Sequence, residues 1–159
     1  MIFYFPLFNI SVTVSQSKVS FIAVTKSGVD FEHTDGKSGQ RLFNEFLGSG
    51  GGFFDYDNDG DLDIYLVNGA SQVASLDKNP PTNVLYRNNG DGYFSDVTEL
   101  AGTGSKSYGT GCTVGDYDND GDLDLYVANF GLGVLYQNSG DGTFIDVSMN
   151  SGVANSRWG

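Results

Sequence analysis

Two stretches of the 159-residue chain, 55–63 and 116–124, carry the same nine residues, DYDNDGDLD, and each crowds five carboxylates into a segment too short to hold a helix. Like charges about 5 Å apart cost roughly 3 kcal/mol per pair at an effective dielectric near 20, so such clusters favour a bound counter-charge. Calcium accepts about 6 to 8 oxygen ligands in flexible geometry and is wrapped by loops that present side chains at alternate positions around a sharp glycine bend. Asp55, Asp57, Asp59 and Asp63 stand at the first, third, fifth and ninth positions of the first loop, with Asp61 at the seventh through its carbonyl. Gly60 supplies the left-handed backbone of the bend. Asp116, Asp118, Asp120, Asp122, Asp124 and Gly121 repeat the arrangement. Magnesium demands a near-ideal octahedron, and zinc prefers His and Cys, so calcium is the expected ion, one per loop.

Asp, Asn and Gly also make ordinary solvated turns. Two identical copies, each followed by an apolar strand, weigh against that simpler explanation. An EF-hand requires an acidic residue at the twelfth position between two helices, but Leu66 and Val127 stand there. The same test disfavours dockerin-like loops, and the single cysteine disfavours thrombospondin-like calcium repeats.

The elements that must position these loops follow from an internal repeat. Gly48, Gly50 and Tyr56 align with Gly109, Gly111 and Tyr117, and DIYLVN at 63–68 aligns with DLYVAN at 124–129. After an insertion, NVLYRNNGDGYFSDVT at 83–98 aligns with GVLYQNSGDGTFIDVS at 133–148. Each unit reads as four short strands: one Gly-rich and ending at the aspartate loop, one apolar, a VLY strand, and one after a GDG turn. Leu62, Ile64 and Leu66 alternate with Tyr65 and Val67, so both faces of the second strand are apolar. A sheet covered on both faces needs neighbours on both, as stacked propeller blades provide. The turns at 88–92 and 138–142 carry the Gly and Asn of tight strand reversals, with Asp91 and Asp141 read as turn formers first.

These residues resemble the FG-GAP or VCBS-type repeats of integrin-like β-propellers, especially the cartilage-acidic-protein-like (ASPIC-type) branch. In that branch a run like FxDVTxxAGIxFxH precedes the first blade; FIAVTKSGVDFEH at 21–33 is similar, with Ala23 where Asp is usual, and the signature recurs as FSDVTELAG at 94–102 and FIDVSMNSG at 144–152. The resemblance covers roughly 19–159 and implies calcium at all ten loop aspartates. The expected fold is all-β, a partial β-propeller of about two four-stranded antiparallel blades plus flanking strands. Residues 1–17 are a possible signal segment or N-terminal strand, 18–47 the segment leading into the first blade, 48–107 blade 1 with an inserted loop at 69–82, 108–155 blade 2, and 156–159 the start of a truncated third blade. Propellers need about four to eight blades to close, so the chain is expected to be a fragment of a longer protein, open to self-association through its propeller edges.

Composition narrows the function classes. The formal charge is −12, but ten of the twenty acidic residues lie inside the two loops, so the acidity is local. Eight Lys and Arg, scattered singly, form no basic stripe for phosphate backbones, which sets nucleic acid aside. The 23 Gly, 9 Tyr and 12 Phe suit strands and turns, and no apolar run is long enough to span a bilayer. Cys112 reads as a small buried hydrophobe. The leading expectation is an extracellular or secreted scaffold, in the periplasm or at the cell surface if bacterial, that recognises an unknown protein or glycan. The alternatives are a lectin-like propeller, with Tyr86, Tyr93 and Tyr108 as candidate sugar-stacking rings, or a non-catalytic part of a larger secreted enzyme. Catalysis within the chain is not expected: Glu32, Glu45 and Glu99 show no suggestive spacing, and His33 has no evident nucleophile partner. One helical turn is expected within 40–47.

Overall fold

The structure, a computed structural model, describes residues 23–24, 26–37, 39–40, 42–70 and 81–154. The readings of 1–17, of 71–80 in the inserted loop and of 156–159 lie outside the described residues. A 3-10 turn at Phe43–Phe46 falls within the stretch read as one helical turn. Strands β1 (Gly51–Phe54), β2 (Asp63–Leu66), β3 (Val84–Asn88) and β4 (Phe94–Asp96) form one antiparallel sheet in sequential order, followed by the one-turn helix α1 (Thr98–Ala101). The second unit repeats this with β5 (Gly109–Gly115), β6 (Asp124–Asn129), β7 (Val134–Asn138), β8 (Phe144–Asp146) and α2 (Ser148–Ser151). The described chain is thus two four-stranded blades of a partial propeller. Each aspartate loop is the hairpin connection between the first two strands, closed by the pairs Phe54↔Asp63 and Gly115↔Asp124.

Side chains alternate across a strand, and the alternation shows how the blades stack. In β2 and just beyond it, Tyr65 and Val67 are fully buried while Ile64 and Leu66 are only half-buried. In β6 the pattern inverts: Leu125 and Val127, which align with Ile64 and Leu66, are fully buried, and Tyr126 is half-buried. Opposite faces of equivalent strands therefore meet in one shared core, front against back, together with Phe54, Tyr56, Leu85, Tyr136 and Phe144. Each blade has one blade neighbour among the described residues, and Leu62, expected on an apolar face, is 58% exposed for that reason. The innermost strands approach closely. A Cβ on Gly109 would lie 2.2 Å from Val67 Cγ1, and one on Gly50 would lie 2.9 Å from the Gly111 Cα, so these sequence positions tolerate no side chain without separating the blades.

The recurrent FxDV(T/S) signature has a local physical cause. Asp96 Oδ1 accepts from the Thr98 N–H at 2.9 Å, while Thr98 Oγ1 accepts from the buried Leu85 N–H at 2.9 Å. Asp146, Ser148 and Leu135 repeat both contacts. The hydroxyl thus extends the β3 and β7 ladders past the end of the neighbouring strand, and the chain turns into α1 or α2, which stop at left-handed Gly102 and Gly152. The segment before blade 1 straps the sheet: the Ser27 carbonyl accepts from the Phe94 N–H, Asp30 accepts from the Tyr86 hydroxyl, and Asn68 bonds Thr34 and Glu32.

Candidate metal centre

Both loops fold identically. Asp55 accepts the Asp59 N–H at 3.1 Å and the Gly60 N–H at 2.9 Å on its two oxygens, and Asp59 accepts the Asp61 N–H at 2.9 Å. In the second loop Asp116 accepts from Asp120 and Gly121, each at 3.1 Å, and Asp120 from Asp122 at 2.9 Å. The expected left-handed bends are present, with φ of 93° at Gly60 and 99° at Gly121; Asn58 and Asn119 are also left-handed, at 59° and 62°. Asparagine tolerates that region better than most residues, which accounts for the repeated DND.

This folding gathers Asp55, Asp57 and Asp59 into one group and Asp116, Asp118 and Asp120 into another, with one carboxylate oxygen from each residue within 4.8 Å of the others. Oxygens that share a calcium ion at about 2.3 to 2.6 Å are at most about 5 Å apart, so the spacing fits an oxygen-coordinated cation. The sharpest observation is Asp57 Oδ1, buried and without a hydrogen-bond partner. Burial, with the charge of Asp59 close behind, pushes the Asp57 carboxyl above the usual range. An ionised oxygen in that position is costly unless a cation meets it. Asp118 instead accepts a 2.5 Å bond from Gln137, which aligns with Arg87 in blade 1. The two triads are groups that could hold a metal ion.

Asp63 and Asp124 lie outside the triads and are deeply buried, at 0% and 1% exposure. Asp63 accepts the Tyr56 N–H at 3.0 Å and the Asn88 N–H at 2.8 Å; Asp124 accepts the Tyr117 and Asn138 N–H groups, both at 2.8 Å. Each pins its loop to the third strand of its own blade. Burial lifts Asp63 to about 6 and Asp124 upward as well, against the opposing pull of these bonds. Asp61 lies outside its triad too, and Asp122 Oδ1 accepts from Asn58 of the other loop at 2.7 Å. The turn residues Asn88 and Asn138, read only as reversal formers, are the partners that sequence reasoning missed; their identical place in both units was the available signal.

The remaining candidates resolve simply. Asp91 and Asp141 cap their turns by accepting from Tyr93 and Thr143. Tyr86 and Tyr108 are core residues, 1% and 7% exposed, and of the three proposed stacking rings only Tyr93 is substantially exposed. His33 does have a hydroxyl neighbour, Ser49 Oγ at 2.9 Å, but Ser49 donates to the Gly109 carbonyl, and no carboxylate bonds the imidazole among the described residues. Cys112 is half-buried against the core, and burial pushes its thiol up, the opposite of an activated nucleophile. No helix among the described residues is long and apolar enough to cross a membrane.

The model of the FG-GAP-like repeat family matches the chain over residues 55–127 and again over 116–159, each match opening on the first aspartate of a loop. No individual curated protein matches the chain.

Proposed function

The chain belongs to the FG-GAP-like repeat family, and from that premise we propose that it is a calcium-stabilised interaction scaffold that works outside the cytoplasm, in the cartilage-acidic-protein-like branch. Asp55, Asp57 and Asp59, with Asp61 and Asp63 completing the shell, would hold one calcium ion, and Asp116, Asp118, Asp120, Asp122 and Asp124 a second. The observation that carries the reading is the buried, unpartnered Asp57 Oδ1 inside a triad of carboxylates. A bound ion supplies positive charge that offsets the repulsion within each loop and lets the hairpins between inner strands rigidify. The role is structural: residues 48–107 form blade 1 and 108–155 blade 2, and the ordered rims present a surface to a protein or glycan.

Extracellular modules bind calcium at about 10⁻⁴ to 10⁻³ M, concentrations met outside cells and not in cytosol. Binding to the folded state alone stabilises it by RT ln(1 + [L]/Kd), about 0.4 to 1.4 kcal/mol per site at about 1 mM calcium for that range of Kd. The test is thermal unfolding followed by circular dichroism in calcium, in magnesium and in excess chelator. Calcium should raise the melting temperature and chelator should reverse the rise, with magnesium weaker. A melting temperature indifferent to all three would overturn the proposal.

A further inference from the structure

We propose that the two aspartate loops are coupled through Asn138, so that a cation held in either loop tightens binding in the other. The proposal rests on the cation-binding reading of both loops and adds to it a path between them. That path is a continuous line of buried hydrogen bonds. Asp124 Oδ1, in the second loop, accepts the Asn138 N–H at 2.8 Å. The Asn138 Nδ2 donates to the Tyr56 carbonyl of the first loop at 2.8 Å and to the Leu123 carbonyl of the second at 3.1 Å. The Tyr56 N–H then donates to Asp63 Oδ2 at 3.0 Å. Asp63, Tyr56, Asn138 and Asp124 are at most 4% exposed.

Repetition isolates the bond that matters. Asn88, the equivalent residue of blade 1, makes the same contacts within its own blade: its N–H to Asp63, its Nδ2 to the Leu62 carbonyl, and its Oδ1 to the Gly90 N–H. Asn138 makes all of these and one more, to Tyr56 in the neighbouring blade. Every polar group of the Asn138 amide is thereby used, so it has one orientation to offer. The Tyr56 ring is held at the same junction, stacked on Phe144 with centroids 6.1 Å apart.

Tyr56 lies between Asp55 and Asp57, so whatever fixes its carbonyl fixes the backbone that aims two carboxylates of the first triad. A cation in the second loop immobilises Asp124 and, through it, Asn138. The first loop then binds with part of its ordering cost already met, which is positive coupling without a new contact. By reciprocity, occupation of the first loop tightens the second by the same factor. The exposed Asn58–Asp122 contact offers a second link between loops, and it must be separated experimentally from the buried one.

Calcium calorimetry on six chains decides the matter: unmodified, Asp57→Ala, Asp118→Ala, and Asn138→Ser alone and combined with each of those two. The product of the two stepwise association constants of the unmodified chain should exceed the product of the single-loop constants from Asp57→Ala and Asp118→Ala by about fivefold or more. With Asn138→Ser the ratio should fall to about one. Asn58→Gly keeps the left-handed backbone at that position and should leave the coupling within about twofold. Equal products in the unmodified chain overturn the proposal, as does a coupling that Asn58→Gly abolishes and Asn138→Ser spares. Absence of calcium binding in the unmodified chain overturns both this proposal and the reading beneath it. Should Asn138→Ser fail to fold, amide exchange in Asp57→Ala gives the same answer. Calcium should then slow the Tyr56 amide about fivefold more than the Leu85 amide of the same blade; slowing of the Tyr117 amide with no excess at Tyr56 would refute the path.

Discussion

Asp63→Asn separates the structural work of a buried carboxylate from its charge. The side chain is fully buried and receives two backbone N–H groups, from Tyr56 and Asn88. Asparagine keeps the volume and one acceptor but turns an amide N–H toward the other donor, which leaves that donor unsatisfied at a cost of about 1 to 3 kcal/mol. Against this stands the relief of a buried charge. A carboxyl lifted from 3.8 to about 6 binds its proton more tightly when folded, so its ionised form costs the folded state about 3 kcal/mol at neutral pH without metal. The two effects nearly cancel in chelator, and the variant should lie within about 2 kcal/mol of the unmodified chain there. Calcium held by this loop stabilises the unmodified chain and not the variant, so the difference between them should shift against the variant by about 0.4 to 1.4 kcal/mol on going from chelator to about 1 mM calcium. Urea denaturation at pH 7, followed by circular dichroism in millimolar calcium and in chelator, measures both differences. An equal difference under the two conditions would make the carboxylate a latch with no part in holding an ion.

Other outcomes follow from the same contacts. In chelator, the stability due to Asp63 should be fully present below about pH 4 and lost as pH rises through about 6, so the metal-free chain should melt higher at pH 5 than at pH 7; a melting temperature that rises with pH across this window would contradict the burial argument. Gly109→Ala should cost about 1 to 3 kcal/mol by forcing its Cβ against Val67, and an unchanged urea midpoint would place the blades farther apart than described. Thr98→Val should cost about 1 to 3 kcal/mol by orphaning the Leu85 N–H, while Thr98→Ser, the residue found at the equivalent 148, should be nearly neutral in the same assay.

The blades were legible because two signals agree: a short apolar run that covers both faces of a strand and a repeat that aligns loop with loop and hairpin with hairpin. The aspartate loops were legible too, since residue type, spacing and the bend glycine are local properties, and the left-handed Gly60 and Gly121 lie where expected. Burial was less so. Ile64 and Leu66 are only half-buried while the aligned Leu125 and Val127 are fully enclosed, because burial depends on which blade neighbours a face and not on the strand's own sequence. Tyr86 and Tyr108 looked available for ligand stacking and are instead packed, their hydroxyls bonded to Asp30 and to the Asp35 carbonyl of the strap before blade 1. The helices α1 and α2 are four residues each, below the length at which helical periodicity can register. The bond from Asn138 to Tyr56 joins residues far apart in sequence, and no local pattern announces it.

Titrating the metal-free chain with calcium in a calorimeter decides whether the paired aspartate loops are cation cages. Two ions should bind per chain, with dissociation constants of about 10⁻⁴ to 10⁻³ M or tighter, and Asp57→Ala should lose one of them. A chain that takes up no calcium at about tenfold above that range, or that binds as many ions after Asp57→Ala as before, would contradict the cation-cage reading.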